Sequence, residues 1–178
     1  YSSAASDVYK RQLPVVISFE FALQAARTSA MIFGRSTAKE QRSTIAMIEN
    51  YAEKIKHESN GFIRHNGIRI VFVDEERSVL EAEITDNSRN VWGSVHGGFL
   101  YTMADTAAGA FARIRYGRRN VTLNGSMNYL RPTTHSRTLT AVGREIKVGG
   151  HVGFFEVNIT DDTGALVACA QMNMYFLD

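Results

Sequence analysis

Residues 97–114, GGFLYTMADTAAGAFARI, spell a helix that is apolar nearly all round, with one carboxylate, Asp105, in its middle. A helix of this kind is a thing to be covered by the rest of the chain. The flanking segments supply a cover. Ile68, Ile70 and Phe72 alternate before the turn residues Asp74-Glu75-Glu76, and Leu80, Ala82 and Ile84 alternate against Glu81 and Glu83. After the helix, Val121, Leu123, Gly125, Met127 and Tyr129 alternate with Thr122, Asn124, Ser126 and Asn128. Alternation resumes over 138–147, over 152–160 and, past the turn Asp161-Asp162-Thr163-Gly164, over 166–176. Strands with one buried face form an antiparallel sheet. The predicted fold class is therefore α+β: an early hairpin and four later strands wrapped around one long central helix.

Upstream, Ile45, Ile48, Ala52 and Ile55 recur at helical spacing between Ser43 and Glu58, with a stop at Asn60-Gly61. Residues 13–43 read as an N-terminal extension, predicted to carry an extra helical segment. Residues 1–12 resemble the translation of a sequencing-library adaptor and are set aside as a scar. One domain is expected over 44–178. The chain has 178 residues, enough to bury a sizeable core. Its net charge of +2 offers no reason to expect nucleic acid or a membrane surface as a partner. The most apolar stretch is interrupted by Glu20, Gln24 and Arg27, and no signal-peptide cleavage pattern follows it, so no membrane span is expected. A single cysteine, Cys169, excludes an internal disulfide framework and suits a reducing compartment, so the expected location is the cytoplasm.

Asp105 carries the functional question. A buried, unpaired carboxylate costs several kcal/mol, so the bland reading is an exposed stripe or a structural hydrogen bond. His96-Gly97-Gly98 shifts the balance. Glycines at a helix start expose backbone N–H groups in the positive potential of the helix dipole, a place that can hold a carbonyl oxygen as it becomes an oxyanion. Gly97 and Asp105 are eight residues apart. On one helix that is about 12 Å of rise and about 80° of rotation, too far for both to act on one carbonyl. Their cooperation requires two copies of the helix lying antiparallel, hence a homodimer with two composite sites.

Asn90-x-x-Gly93-x-x-His96-Gly97-Gly98, followed by Asp105, then Val121-Thr122 and Tyr129-Leu130-Arg131-Pro132, resembles the hotdog-fold acyl-CoA thioesterases of the phenylacetate-degradation (PaaI-like) type. The resemblance covers roughly residues 44–178. It implies an acyl-CoA substrate, a homodimer or dimer of dimers, and no cofactor. It implies that Asp105 activates water or attacks the thioester, that the Gly97 N–H polarises the carbonyl, that Asn90 contacts the same region, that His96 orients it, and that the Thr122 hydroxyl holds the water near the carboxylate. Gly98, Trp92, Arg131 and Arg137 are the further candidates for substrate contact. Trp92 has two readings, over the substrate or against a partner subunit. One departure stands out: many relatives carry Arg after the Lys147-Val148-Gly149 turn, where this chain has Gly150-His151.

Two other readings compete. A non-catalytic acyl-CoA sensor or assembly module would keep the pocket but dispense with the carboxylate. A hotdog dehydratase would carry Pro-containing loops after its His, whereas here His96 precedes two glycines. Arg113, Arg115, Arg118 and Arg119 end the helix, where cations suit the dipole, with coenzyme A phosphate binding as the other reading. His57, His65 and His135 read as surface residues, and no histidine pair has metal-ligand spacing, so no metal is expected. Cys169 lacks a neighbouring base and reads as a strand residue rather than a nucleophile. Met172 and Met174 read as core or acyl-pocket lining.

Overall fold

The computed structural model describes residues 61–177. The adaptor-like segment, the extension over 13–43 and the helix expected over 43–58 lie outside them. Within them a short helix α1 (Gly61–His65) leads into strands β1 (Ile68–Val73) and β2 (Ser78–Glu83). A 3₁₀ turn (Asp86–Ser88) and a loop bring the chain to α2 (Gly97–Tyr116). Four strands follow: β3 (Asn120–Tyr129), β4 (Thr138–Val148), β5 (Val152–Asp161) and β6 (Leu166–Phe176).

The six strands form one sheet in the order β1-β2-β4-β5-β6-β3, with antiparallel pairing throughout. The architecture is the expected one, a sheet wrapped around a single long helix. β3 runs to the far edge of the sheet after α2, and β4 returns beside β2.

Helix and sheet share one core. Met103, Ala104, Ala107, Ala108 and Phe111 of α2 are buried against Leu80, Leu139, Phe155, Val157 and Met172. The alanines matter because a sheet cannot curl closely round a helix with large side chains everywhere. At the tightest approach the strand has no side chain at all. A Cβ on Gly143 of β4 would stand 2.7 Å from Ser78 Oγ and 3.2 Å from the carbonyl carbon of Ala107. The buried Ser78 hydroxyl donates 2.7 Å to the Ala107 carbonyl, tying β2 to the middle of the helix.

α2 is not buried all round. Tyr101, Thr102, Asp105, Thr106, Gly109 and Arg113 are partly exposed, at the i, i+4 spacing of a single stripe, while the rest of the helix interior is buried. A second departure concerns β3. Its simple alternation would place Thr122 on the polar outer face. A register shift between Thr122 and Asn124 breaks that alternation: Thr122 pairs with buried Met174, and after the shift Gly125 pairs with buried Met172. An extra residue in one strand re-aims the side chains around it: Thr122, itself exposed like Val121 and Leu123, reaches Asp105 of the helix with its hydroxyl.

Gly143→Ala is expected to destabilise the fold by about 1–3 kcal/mol, the usual cost of forcing a methyl into a filled core. Urea denaturation of the variant against the parent chain measures it.

Candidate functional site

α2 starts at a glycine pair because its cap needs the room. His96 is the N-cap, with extended backbone (φ −64, ψ 134), and its Nδ1 accepts the Gly98 N–H at 2.9 Å. The Phe99 and Leu100 amides donate to the His96 carbonyl, and the His96 amide donates to the Ser88 carbonyl. Of the amides from His96 to Leu100, Gly97 alone has no acceptor among the described residues. One unsatisfied N–H at a helix start, in the positive end of the dipole, is what an oxyanion would bind. Gly98, expected from the sequence to contact substrate, donates its amide to the cap.

Gly97 is glycine for a steric reason. A Cβ there would lie 3.2 Å from the ring and hydroxyl of Tyr129, whose phenol donates to the Gly97 carbonyl at 3.2 Å. Tyr129 closes β3 directly over the helix start. Beside them lies a cleft of about 340 Å³, lined by Asn90, Ser94, Val95, Gly97, Leu100 and the segment from Tyr129 to Thr133. The sequence candidates Asn90, Gly97 and Arg131 meet in this cleft.

The loop before the helix is held from several sides. Asn90 Oδ1 accepts the Trp92 amide at 2.9 Å, and the Asn90 and Gly93 amides close a turn with the Ser94 and Asn90 carbonyls. Gly93 takes the left-handed conformation (φ 76) this turn needs. Arg89 reaches across to the loop between β3 and β4. Its guanidinium donates to the carbonyls of Gly93 (2.6 Å), Thr134 (3.1 Å) and Ser136 (3.3 Å). Buried Thr133 accepts the Val95 amide at 2.9 Å, and the Ser94 and Thr134 hydroxyls share a 3.0 Å bond. Sequence reading did not single out Arg89 or Thr133, and it read Tyr129 as a strand and motif residue without a role at the helix start; the Val95 partner of Thr133 is 38 residues away.

Asp105 lies elsewhere on α2 and does not line the cleft. It is half-buried on the open stripe, and the Thr122 hydroxyl donates to its Oδ1. Thr122 Oγ1 also stands 3.4 Å from Met174 Sδ, so the carboxylate sits over a buried thioether. Asp105 and Thr122 are brought together; Asp105 and Gly97 of the same chain are not, being about 12 Å apart along the helix.

Two candidates stand away from the cleft. Trp92 is 84% exposed on the loop tip beside Val91, at 92%. Arg137 pairs with Asp162 at the turn between β5 and β6, guanidinium to carboxylate at 3.8 Å. At the helix end, Arg118 lies over the Phe176 ring and donates to the Gly150 carbonyl, a structural use of that cation. Cys169 is half-buried on β6. No cluster of His, Cys, Asp or Glu able to hold a metal occurs among the described residues, and none of their helices is long and apolar enough to cross a membrane.

A second carboxylate braces the cleft loop from behind. Asp161 accepts from the Thr163 hydroxyl (2.6 Å) and amide (2.9 Å), the Ser136 hydroxyl (3.1 Å) and the Ala165 amide (3.1 Å). Burial alone would raise its pKa, but the bonds from Thr163, Ser136 and Ala165 outweigh it and hold it below the ordinary 3.8. A lowered folded-state pKa means stability that is present above the unfolded value and lost as pH falls through the folded one. Asp161→Asn is thus expected to cost on the order of 1 kcal/mol at pH 7, and the gap to the parent chain to shrink below about pH 4. Urea titrations from pH 7 to 3 measure this gap.

The thioesterase superfamily profile matches residues 93–168, a span that contains the helix start, Asp105 and Thr122. The chain is 30% identical over 112 residues to the acyl-coenzyme A thioesterase PaaI of Escherichia coli, which covers 63% of this chain and 79% of that protein. It is 29% identical over 107 residues to the 1,4-dihydroxy-2-naphthoyl-CoA hydrolase of Listeria monocytogenes, covering 59% of this chain and 86% of that one. Among solved structures, the E. coli PaaI protein superposes with a TM-score of 0.68 at 24% identity, covering 75% of this chain and 95% of that chain. The structural likeness shows a shared fold.

Proposed function

The chain belongs to the hotdog-fold thioesterases of the PaaI-like type, and from that membership we propose that it hydrolyses acyl- or aryl-acyl-coenzyme A at two composite sites of a homodimer. It is an acyl-CoA thioesterase by family. The domain of that family would occupy residues 44–178, in the reducing cytoplasm that one cysteine suits.

The observation that carries the mechanism is the division of the site along α2. The Gly97 N–H, without an acceptor among the described residues, and the Thr122-held Asp105 are each suited to work on one carbonyl, yet stand about 12 Å apart on one helix. A second copy, its helix antiparallel, brings the Asp105 of each subunit to the other's Gly97. Two features support such a partner. The stripe bearing Asp105 is the one side of α2 that the sheet leaves open. Among the described residues β3 is an edge strand of ten residues, most of them exposed, and an edge of that length invites pairing with its own copy.

In that arrangement the acyl-CoA lies with its carbonyl oxygen on the Gly97 N–H and its coenzyme arm in the cleft beside Asn90 and Arg131. Asp105 acts in one of two ways. As a base it takes a proton from water, whose oxygen attacks the carbonyl carbon. The tetrahedral oxyanion rests on Gly97; its collapse breaks the C–S bond, and the leaving thiolate takes the proton from Asp105. As a nucleophile the carboxylate attacks first and expels the thiolate, and water then hydrolyses the anhydride. In both, Thr122 occupies one carboxylate oxygen and leaves the other for the reaction. His96 acts indirectly: by capping through Gly98 it leaves the Gly97 amide free.

Asp105→Asn is expected to lower turnover at least about a hundredfold, within the range typical of a general base, while a solution mass measurement finds the dimer intact. Thiol release from a panel of short, long and aromatic acyl-CoAs is the assay. Stoichiometric acyl-CoA binding with no thiol release would turn the reading to a sensor, and near-parental turnover in the variant would remove Asp105 from the chemistry.

A further inference from the structure

We propose that Tyr101 sets the size of the acyl group this enzyme accepts, by standing at the two-fold axis as the wall between the two sites. The inference rests on the composite-site reading above and deepens it. Tyr101 lies four residues after Gly97 and four before Asp105, on the half-exposed side of α2. When Gly97 of each helix faces Asp105 of the other, symmetry brings the midpoint of that interval, residue 101, nearest the axis in both chains. The two rings then converge between the sites.

Packing within one chain fixes where that ring lies. A Cβ on Gly125 of β3 would fall 2.6 Å from the Tyr101 hydroxyl, so the strand leaves a gap that the phenol fills. The same imagined Cβ would meet Met172 Sδ at 2.3 Å, and Met172 is fully buried. The ring is seated on β3, the edge strand that would adjoin the partner. No hydrogen-bond partner for the Tyr101 hydroxyl occurs among the described residues, which leaves the ring's bulk as its contribution.

The substrate's direction follows from the cleft. Asn90 and Arg131 line the cleft beside Gly97, and in the proposed composite site the sulfur side of the thioester leads out past them. The acyl side leads the other way, along the helix towards Tyr101. About 6 Å of helix rise separates Gly97 from Tyr101, so short acyl chains or a single aromatic ring fit before the wall and long chains meet it. The structure thus assigns the enzyme to short or single-ring acyl-CoAs.

The test is a thiol-release series with acetyl-, butyryl-, phenylacetyl-, octanoyl- and dodecanoyl-CoA on the parent chain, Tyr101→Ala, Tyr101→Leu and Tyr101→Phe, each checked for dimer mass. The readout is the ratio of kcat/KM for octanoyl- to butyryl-CoA, which a general loss of structure would leave alone because it lowers both. Tyr101→Ala is expected to raise the ratio about tenfold or more, in line with what pocket shape discriminates. Tyr101→Leu is expected to raise it less, in the same direction, and decides the matter if the alanine variant does not fold. Tyr101→Phe, which keeps the ring, is expected to leave the ratio unchanged. An unaltered ratio in active, dimeric Leu and Ala variants overturns the role of Tyr101 and leaves the thioesterase reading standing. No thiol release by the parent chain from any of the five overturns both.

Discussion

The structure is organised by the need to take α2 out of water. Its small residues let the sheet come close, and β4 gives up a side chain at Gly143 to pass the backbone of Ala107. Hydrophobic burial is non-directional, so by itself it would let the helix turn about its axis. The buried Ser78 hydroxyl on the Ala107 carbonyl and the Asn120 amide on the Gly109 carbonyl act against that freedom. With the roll of the helix set, the stripe bearing Tyr101, Asp105 and Gly109 is the side left open.

The helix start depends on a second set of contacts, between loops distant in the chain. Arg89, Thr133 and Thr134 join the loop before α2 to the loop after β3 through backbone groups, and Asp161 holds the latter loop from behind through Ser136. Hydrogen bonds to backbone carbonyls and amides fix the path of a loop more than its side chains. A geometry of that kind can keep one amide pointed outward while its neighbours are satisfied. Function and stability are coupled here, because the groups that stiffen the cleft are also those that secure the two loops to the sheet.

Much of this was legible beforehand. The strands announced themselves by alternation, the helix by an apolar run, and the turn at Asp161 by its residues, because each depends on local spacing. Asp105 and Gly97 were legible as a pair, and so was their incompatibility within one chain, since helix rise is the same everywhere. Three things were not. The register shift in β3 that pairs Thr122 with Met174 and brings its hydroxyl to Asp105 is a property of pairing with β6 and has no local mark. Arg89 carries no mark in the sequence because its acceptors are carbonyls, which every residue has. The open stripe on α2 was masked by threonines and glycine that look neutral in a hydrophobic pattern.

The chain's own order of residues determined the elements, the helix that must be enclosed, and the spacing of the two chemical groups on which the proposed composite site rests. These follow from periodicity and covalent geometry, which act over a few residues. Tertiary structure decided which side of α2 the sheet leaves uncovered, that the Thr122 hydroxyl donates to Asp105, that the Gly97 amide has no acceptor among the described residues, and that the Tyr101 hydroxyl lies over Gly125. Those outcomes depend on strand register and on contacts between segments far apart in sequence, where small shifts change which atoms meet.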